Sequence, residues 1–266
     1  MKDIMSQYRA KPSDGVAWIT GASSGLGYHV AKNLAASGWT VAVTARSGDD
    51  LQALADECKS LSGEIIPMPG DVTDQTRMSD IAENLVSSHG GIALLILNAG
   101  VYLPLRASEL KLADFDKTFA VNLNGVTNCL VPCLNHMRDA GRGQIAIVSS
   151  VAGFGGLPTS AAYGATKAGL TNMAESLKFD LDLLNIHIQV VHPGFIDTPA
   201  TQSNPFPMPF LMEVEDAANR LVDGLSSSGF EITFPKRFTW GLKLINLLPY
   251  PVYFWITKRA TGWGKK

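Results

Sequence analysis

The sequence predicts one α/β domain: a doubly wound, seven-stranded parallel sheet with helices on both faces. Three observations carry this. Short β-branched runs alternate with helical patterns of ten to thirty residues. Several runs are apolar almost throughout, as strands covered on both sides are. The first run passes through a glycine-rich turn directly into a helical pattern. At 266 residues, 46% hydrophobic and 17% charged, the chain can bury a substantial core as one domain.

The first strand is "VAWIT" at 16 to 20, and "TGASSGLG" at 20 to 27 follows it. Gly21 would permit the tight turn, Gly25 a close approach of backbone to a pyrophosphate, and Gly27 tight packing of helix on strand. Backbone N–H groups at such a helix start suit a phosphate, although a turn of this kind that binds nothing has the same composition. The next strands are "WTVAVTA" (39 to 45), "EIIPMP" (64 to 69) and "IALLIL" (92 to 97). A long helical stretch at 109 to 139 contains Pro132 and is expected to kink there. "QIAIVS" (144 to 149) ends at Ser149 and Ser150, and a second long helix spans 159 to 184. "HIQVVH" (187 to 192) and "FEITF" (230 to 234) complete the sheet.

Tyr163 and Lys167 stand four residues apart at the start of the second long helix and share one face. A phenol is a poor acid or base near neutrality, and a neighbouring cation lowers its pKa. Tyr and Lys at this spacing also occur on solvated helices, but here Ser149, Ser150 and the glycine turn lie at the same sheet edge, where open α/β sheets bind ligands.

The net charge of −2 offers no field for a polyanion, which argues against nucleic acid as a partner. Cys58, Cys129 and Cys133 lack metal-site spacing, with Cys129 and Cys133 reading as small core residues. His192 reads as structural, and His29, His89, His136 and His187 form no metal spacing, so no metal is expected. The N-terminus has no apolar core of signal-peptide length and no run of 18 apolar residues occurs, so a cytoplasmic location is expected.

From about residue 14 to 235 the chain resembles the short-chain dehydrogenase/reductase family, a Rossmann-type fold. Thr20, Gly21, Gly25 and Gly27 meet its T-G-x-x-x-G-x-G turn, Asn98, Ala99 and Gly100 its N-A-G, Tyr163 and Lys167 its Y-x-x-x-K, and Pro193 and Gly194 its P-G. The family's serine stands thirteen residues before the tyrosine, which selects Ser150 over Ser149, and its helix asparagine corresponds to Asn122 in "FAVNLNG".

The resemblance implies an enzyme that transfers a hydride between a nicotinamide cofactor and a carbonyl or secondary alcohol. Asn122, Ser150, Tyr163 and Lys167 would be catalytic: Tyr163 as acid or base, Ser150 holding the reacting oxygen, Lys167 lowering the Tyr163 pKa and holding the ribose, Asn122 positioning a relay water. The cofactor would lie against Gly21, Ser23, Ser24, Gly25, Leu26 and Gly27, then Arg46, Ser47, Asp71, Val72, Asn98, Ala99, Gly100, Tyr163, Lys167, Pro193, Gly194, Ile196 and Thr198. Arg46 and Ser47 stand at the end of the second strand where enzymes preferring NAD carry an acid, so NADP is expected over NAD; Asp49 or Asp50 doing the acid's work is the alternative. Asp71 would meet the adenine, or simply help to begin a helix with Asp74 near its cap.

The loop "FIDTPATQSNPFPMPFLM" (195 to 212) would cover the site as a lid, its Phe206, Met208, Phe210, Leu211 and Met212 favouring an apolar substrate. Tyr102, Leu103, Phe154 and Leu157 would line the remaining wall, with packing against protein as the alternative for all of these residues. A homodimer or homotetramer through the two long helices is implied by the resemblance. Alternatives of other classes are a cofactor-binding scaffold or sensor without turnover, and an epimerising relative. The sequence divides into a catalytic domain, 1 to 237, and an apolar, aromatic and basic extension, 238 to 266, which reads either as a peripheral membrane anchor or as a packing element.

Overall fold

A computed structural model describes residues 8 to 199, 201 and 207 to 264. Seven parallel strands, β1 Val16–Thr20, β2 Thr40–Thr44, β3 Glu64–Pro67, β4 Ile92–Leu97, β5 Gly143–Val148, β6 Ile186–Pro193 and β7 Glu231–Phe234, form one sheet in the order β3-β2-β1-β4-β5-β6-β7. The order reverses between β1 and β4, which opens a crevice at their C-terminal ends.

The helices are α1 Gly25–Ala36, α2 Gly48–Glu57, α3 Gln75–His89, α4 Leu112–Phe119, α5 Gly125–Ala140, α6 Ala161–Leu183, α7 Val214–Leu225, α8 Lys236–Asn246 and α9 Tyr250–Thr261. Alternation of side chains along the strands splits the core in two. Ala17, Ile19, Val41 and Val43 pack on one side with Val30 and Leu34 of α1, Leu51 of α2 and Leu221 of α7. Val16, Trp18 and Ala42 pack on the other with Met78 of α3, Cys129 and Cys133 of α5 and Leu170 of α6. Burial pushes the Cys129 thiol up to about 12, which keeps it a protonated core residue.

Every expected strand is present within a few residues of its expected bounds. The stretch 109 to 139 differs in detail. α4 and α5 are joined by a π-helical turn, Ala120–Asn124, and α5 runs on through Pro132, so the irregularity falls at the turn that carries Asn122. At the other end, the 237/238 division falls inside α8; Pro249 caps α9 and Pro251 occupies its first turn, where a missing N–H costs nothing. No helix among the described residues is long and apolar enough to cross a membrane.

Candidate active site

The crevice is a cleft of about 790 Å³. Its nucleotide end is the turn after β1. Gly21 has φ +70, and a Cβ there would sit 2.7 Å from Ala99 Cα, so the two loops approach closer than a side chain allows. The Asn98 amide donates to the carbonyls of Thr20 and Gly21 at 3.0 Å each, while the backbone N–H groups of Asn98 and Ala99 both donate to Thr20 Oγ1 at 3.1 Å. The N-A-G loop is therefore a clamp on the glycine turn.

α1 then starts without a side-chain cap from Ser24, whereas Ser47 caps α2 and Asp74 caps α3. Uncapped N–H groups at the positive end of a helix, facing a cleft, are an anion site. This cradle fits a dinucleotide pyrophosphate, since the cleft is lined by Gly21, Ser23, Ser24, Gly25 and Leu26. Gly27 does not line the cleft. A Cβ on it would stand 2.3 Å from the Gly21 carbonyl oxygen, so its part is to let the helix close under the turn.

Arg46 and Ser47 line the cleft further along, with Asp50 in the same wall. Arg46 is exposed and pairs with no other described residue. Asp71 also lines the cleft and takes part in the turn before α3: Oδ1 accepts from the Thr73 N–H at 2.9 Å and the Thr73 hydroxyl at 2.8 Å, while Asp74 caps α3. Val72, Asn98, Ala99, Gly100, Pro193, Gly194, Ile196 and Thr198 complete the expected lining.

At the substrate end, Ser150 follows β5 and Tyr163 rises from the first turn of α6. The two share a side-chain hydrogen bond. They meet because a 3₁₀ turn, Val151–Gly153, presses on α6, where a Cβ at Gly153 would come within 2.9 Å of the Lys167 carbonyl carbon. The adjacent Ser149 is spent on structure: its hydroxyl donates to the Lys167 carbonyl at 2.7 Å and meets Thr171 Oγ1 at 3.0 Å.

Lys167 is buried, donates to the Val148 carbonyl at 2.7 Å, and holds its Nζ 5.5 Å from the Tyr163 ring centre. Burial lowers its pKa to about 8. The expected depression of Tyr163 is not what the protein's own groups produce. Burial pushes the phenol up, the Ser150 hydrogen bond draws it down, and the net shift is upward.

Asn122 is fully buried and does not line the cleft. Its amide donates to the Val101 carbonyl at 3.0 Å and to Thr166 Oγ1 at 3.1 Å, and its oxygen accepts from the Val101 N–H at 2.8 Å. With both edges used, the side chain braces the loop after β4 against α6. Thr166 extends the brace by donating to the Tyr163 carbonyl at 2.7 Å.

A recess of about 90 Å³ opens beside the tyrosine, lined by Tyr102, Val151, Ala152, Leu157 and Phe195 among others. Tyr102 and Leu157 thus stand where expected, but Phe154 packs on His192 at 4.6 Å instead, and Leu103 lines neither space. Met212 is also placed differently. Its backbone pairs with Ile196 and its side chain joins the core beside Leu221, because the loop must return to the sheet before α7 begins. Phe210 is exposed and lies against Phe238, while Phe206 lies outside the described residues. Lys117, Val121 and Thr201 line the cleft without any local signal in the sequence, being carried there by α4, the π turn and the loop after β6.

His192 is structural: Nδ1 meets Glu231 Oε1 at 2.6 Å and Nε2 meets Thr171 Oγ1 at 3.0 Å. Among the described residues, no group of three or more His, Cys, Asp or Glu is placed to hold a metal.

Comparison with known proteins agrees with this arrangement. Residues 15–206 match the family model for short chain dehydrogenases. An uncharacterized oxidoreductase of Myxococcus xanthus is 35% identical over 244 residues, covering 92% of this chain and 96% of that one. A 3-oxoacyl-[acyl-carrier-protein] reductase of Thermotoga maritima is 35% identical over 190 residues, 71% of this chain and 77% of its own. The crystal structure of a 3-ketoacyl-ACP reductase from Sinorhizobium meliloti 1021 superposes with a TM-score of 0.72 at 30% identity, covering 82% of this chain and 95% of that one. The chain therefore belongs to the short-chain dehydrogenase/reductase family and is a hydride-transferring oxidoreductase of alcohol and carbonyl groups.

Proposed function

We propose that the chain reduces an apolar carbonyl compound with NADPH, using Tyr163 as the proton donor. One observation carries the reading: the uncapped start of α1 and the cluster of half-buried Ser150 and Tyr163 with buried Lys167 open on the same cleft. When bound there, a nicotinamide dinucleotide supplies the hydride. Ser150 donates to the carbonyl oxygen as negative charge grows on it, and Tyr163 transfers its proton to that oxygen. Burial favours this direction, since it keeps the phenol protonated until an alkoxide develops beside it.

Lys167 has three N–H donors and spends one on Val148, which leaves two for ribose hydroxyls. Asn122 is a positioning residue that holds α6 and the loop after β4 in register. Arg46 supplies the NADPH preference, as an unpaired guanidinium on the cleft wall suits a 2′-phosphate. The apolar lining of the recess favours an apolar carbonyl, and the two ketoacyl reductases similar to this chain make 3-oxoacyl thioesters the first class to try. The exposed face of α5 and α6, with Val131, Phe179 and Leu183, is the surface through which we expect copies of the chain to associate. Light scattering showing a monomer at all concentrations would remove that part.

The test is NADPH consumption against 3-oxoacyl thioesters, cyclic ketones and short aldehydes. Turnover of apolar carbonyls is expected, and Arg46→Ala should weaken NADPH by about 1.5 to 3 kcal/mol while leaving NADH little changed. NADPH binding without turnover of any compound would make the chain a cofactor-binding scaffold, and equal loss of both cofactors would pass the preference to Asp50 or another group.

A further inference from the structure

The two helices beyond β7 have an inner and an outer face of opposite character. On the inner face, Tyr253 is buried and donates to the Gly156 carbonyl at 2.7 Å, Lys243 pairs with Glu231, and Phe238 lies 5.5 Å from Phe195. The helices therefore rest on both sides of the substrate recess, which Leu157 and Phe195 line. The packing alternative for this segment describes that face.

Among the described residues, nothing covers the outer face. Trp240 and Leu244 on one stripe of α8, and Leu247 at its C-cap, are 59%, 64% and 81% exposed. Tyr250, Phe254 and Trp255 of α9 are 77%, 52% and 63% exposed. One turn beyond the two last aromatics, on the same stripes, stand exposed Lys258 and Arg259, the latter 5.9 Å over the Trp255 ring. Aromatic rings backed by long cationic stems are suited to a boundary between hydrocarbon and charged headgroups.

Charge identifies the occupant. From Pro235 to the C-terminus there are seven Lys and Arg and no Asp or Glu, while the rest of the chain has 24 acidic against 15 basic residues. A second copy seated face to face would set one cationic segment against another, which disfavours self-association through this surface. A negatively charged surface is complementary to it. The helices are too short to cross a bilayer, α9 having 12 residues where a span needs about 20.

We infer that the outer face of α8 and α9 docks in the interfacial layer of an anionic membrane. The docking does not depend on the reaction assigned to the cleft, and its test needs no turnover. Full-length protein is sedimented with vesicles of phosphatidylcholine, with and without phosphatidylglycerol. Binding is expected only with the anionic lipid and should fall as salt rises. Lys258→Gln with Arg259→Gln should weaken it about thirtyfold, the factor for two basic residues worth about 1 kcal/mol each near such a surface. Trp255→Ser with Phe254→Ser should also release the protein, whereas Phe179→Ser on α6 should not. All these positions are exposed, and equal melting temperatures would establish that the variants are folded. Indifference to anionic vesicles, equal binding to neutral ones, or undiminished binding by both double variants would overturn the inference. So would self-association that Trp255→Ser abolishes in a protein that ignores vesicles.

Discussion

At the nucleotide end of the cleft, shape is set by glycines and short side chains within two loops. Gly21, Gly27, Thr20 and Asn98 fix the turn after β1 through backbone contacts. At the substrate end the same task falls to elements distant in the chain. Asn122 from the π turn holds Val101, Thr166 of α6 and through it the Tyr163 backbone, and the 3₁₀ turn after β5 brings Ser150 to Tyr163. Thr201 adds a further wall, and the inner face of α8 and α9 packs behind it, on Phe195 and the Gly156 carbonyl. A phosphate cradle can thus be written locally, whereas a proton-transfer site here is an assembly of long-range contacts.

Breaking the brace at the substrate end should have the largest effect. Asn122→Ala leaves the half-buried Val101 N–H and C=O without their partner. A loss of about 2 to 5 kcal/mol in stability is expected by chemical denaturation, with turnover falling further than cofactor affinity. A variant that melts like the parent and turns over normally would remove the brace from the account.

At the nucleotide end the corresponding change is Gly27→Ala. Its Cβ would meet the Gly21 backbone and the Asn98 amide that clamps it, so overpacking should cost about 1 to 3 kcal/mol and weaken cofactor binding more than substrate binding. Calorimetric titration with NADPH reads this directly, and unchanged affinity would show that the turn tolerates a side chain.

This contrast also explains what the sequence could and could not reveal. The seven strands and the glycine turn are legible because each is written in consecutive residues: apolar runs buried on both faces, and glycines where backbone approaches backbone. Ser150 was separable from Ser149 only by spacing, and the structure supplies a physical reason, since the Ser149 hydroxyl is consumed by Lys167 and Thr171. The contacts of Asn122, Phe154 and Met212 are not legible in the sequence, because residue type does not reveal which distant element a side chain will meet. The upward shift of Tyr163 is not legible for a related reason: depth of burial, which outweighs the pull of Ser150, depends on the whole fold.

The smallest expected effect is a pH limb. Free lysine is cationic to well above neutrality, but burial lowers Lys167 from 10.5 to about 8. It is charged below that value and neutral above it, so kcat/KM for reduction should fall as pH rises through about 8. A profile flat to pH 10 would show that the Lys167 charge is not required, or that its pKa is not lowered.

The central claim is that binding and chemistry reside at opposite ends of one cleft, with Tyr163 giving the proton. It is tested most directly by Tyr163→Phe, measured for both turnover and NADPH affinity. Removing one hydroxyl that acts at the reacting oxygen should lower kcat by at least about a hundredfold and leave the NADPH dissociation constant within about threefold of the parent. Retention of most of the parent kcat, or a parallel loss of cofactor binding, would contradict the account.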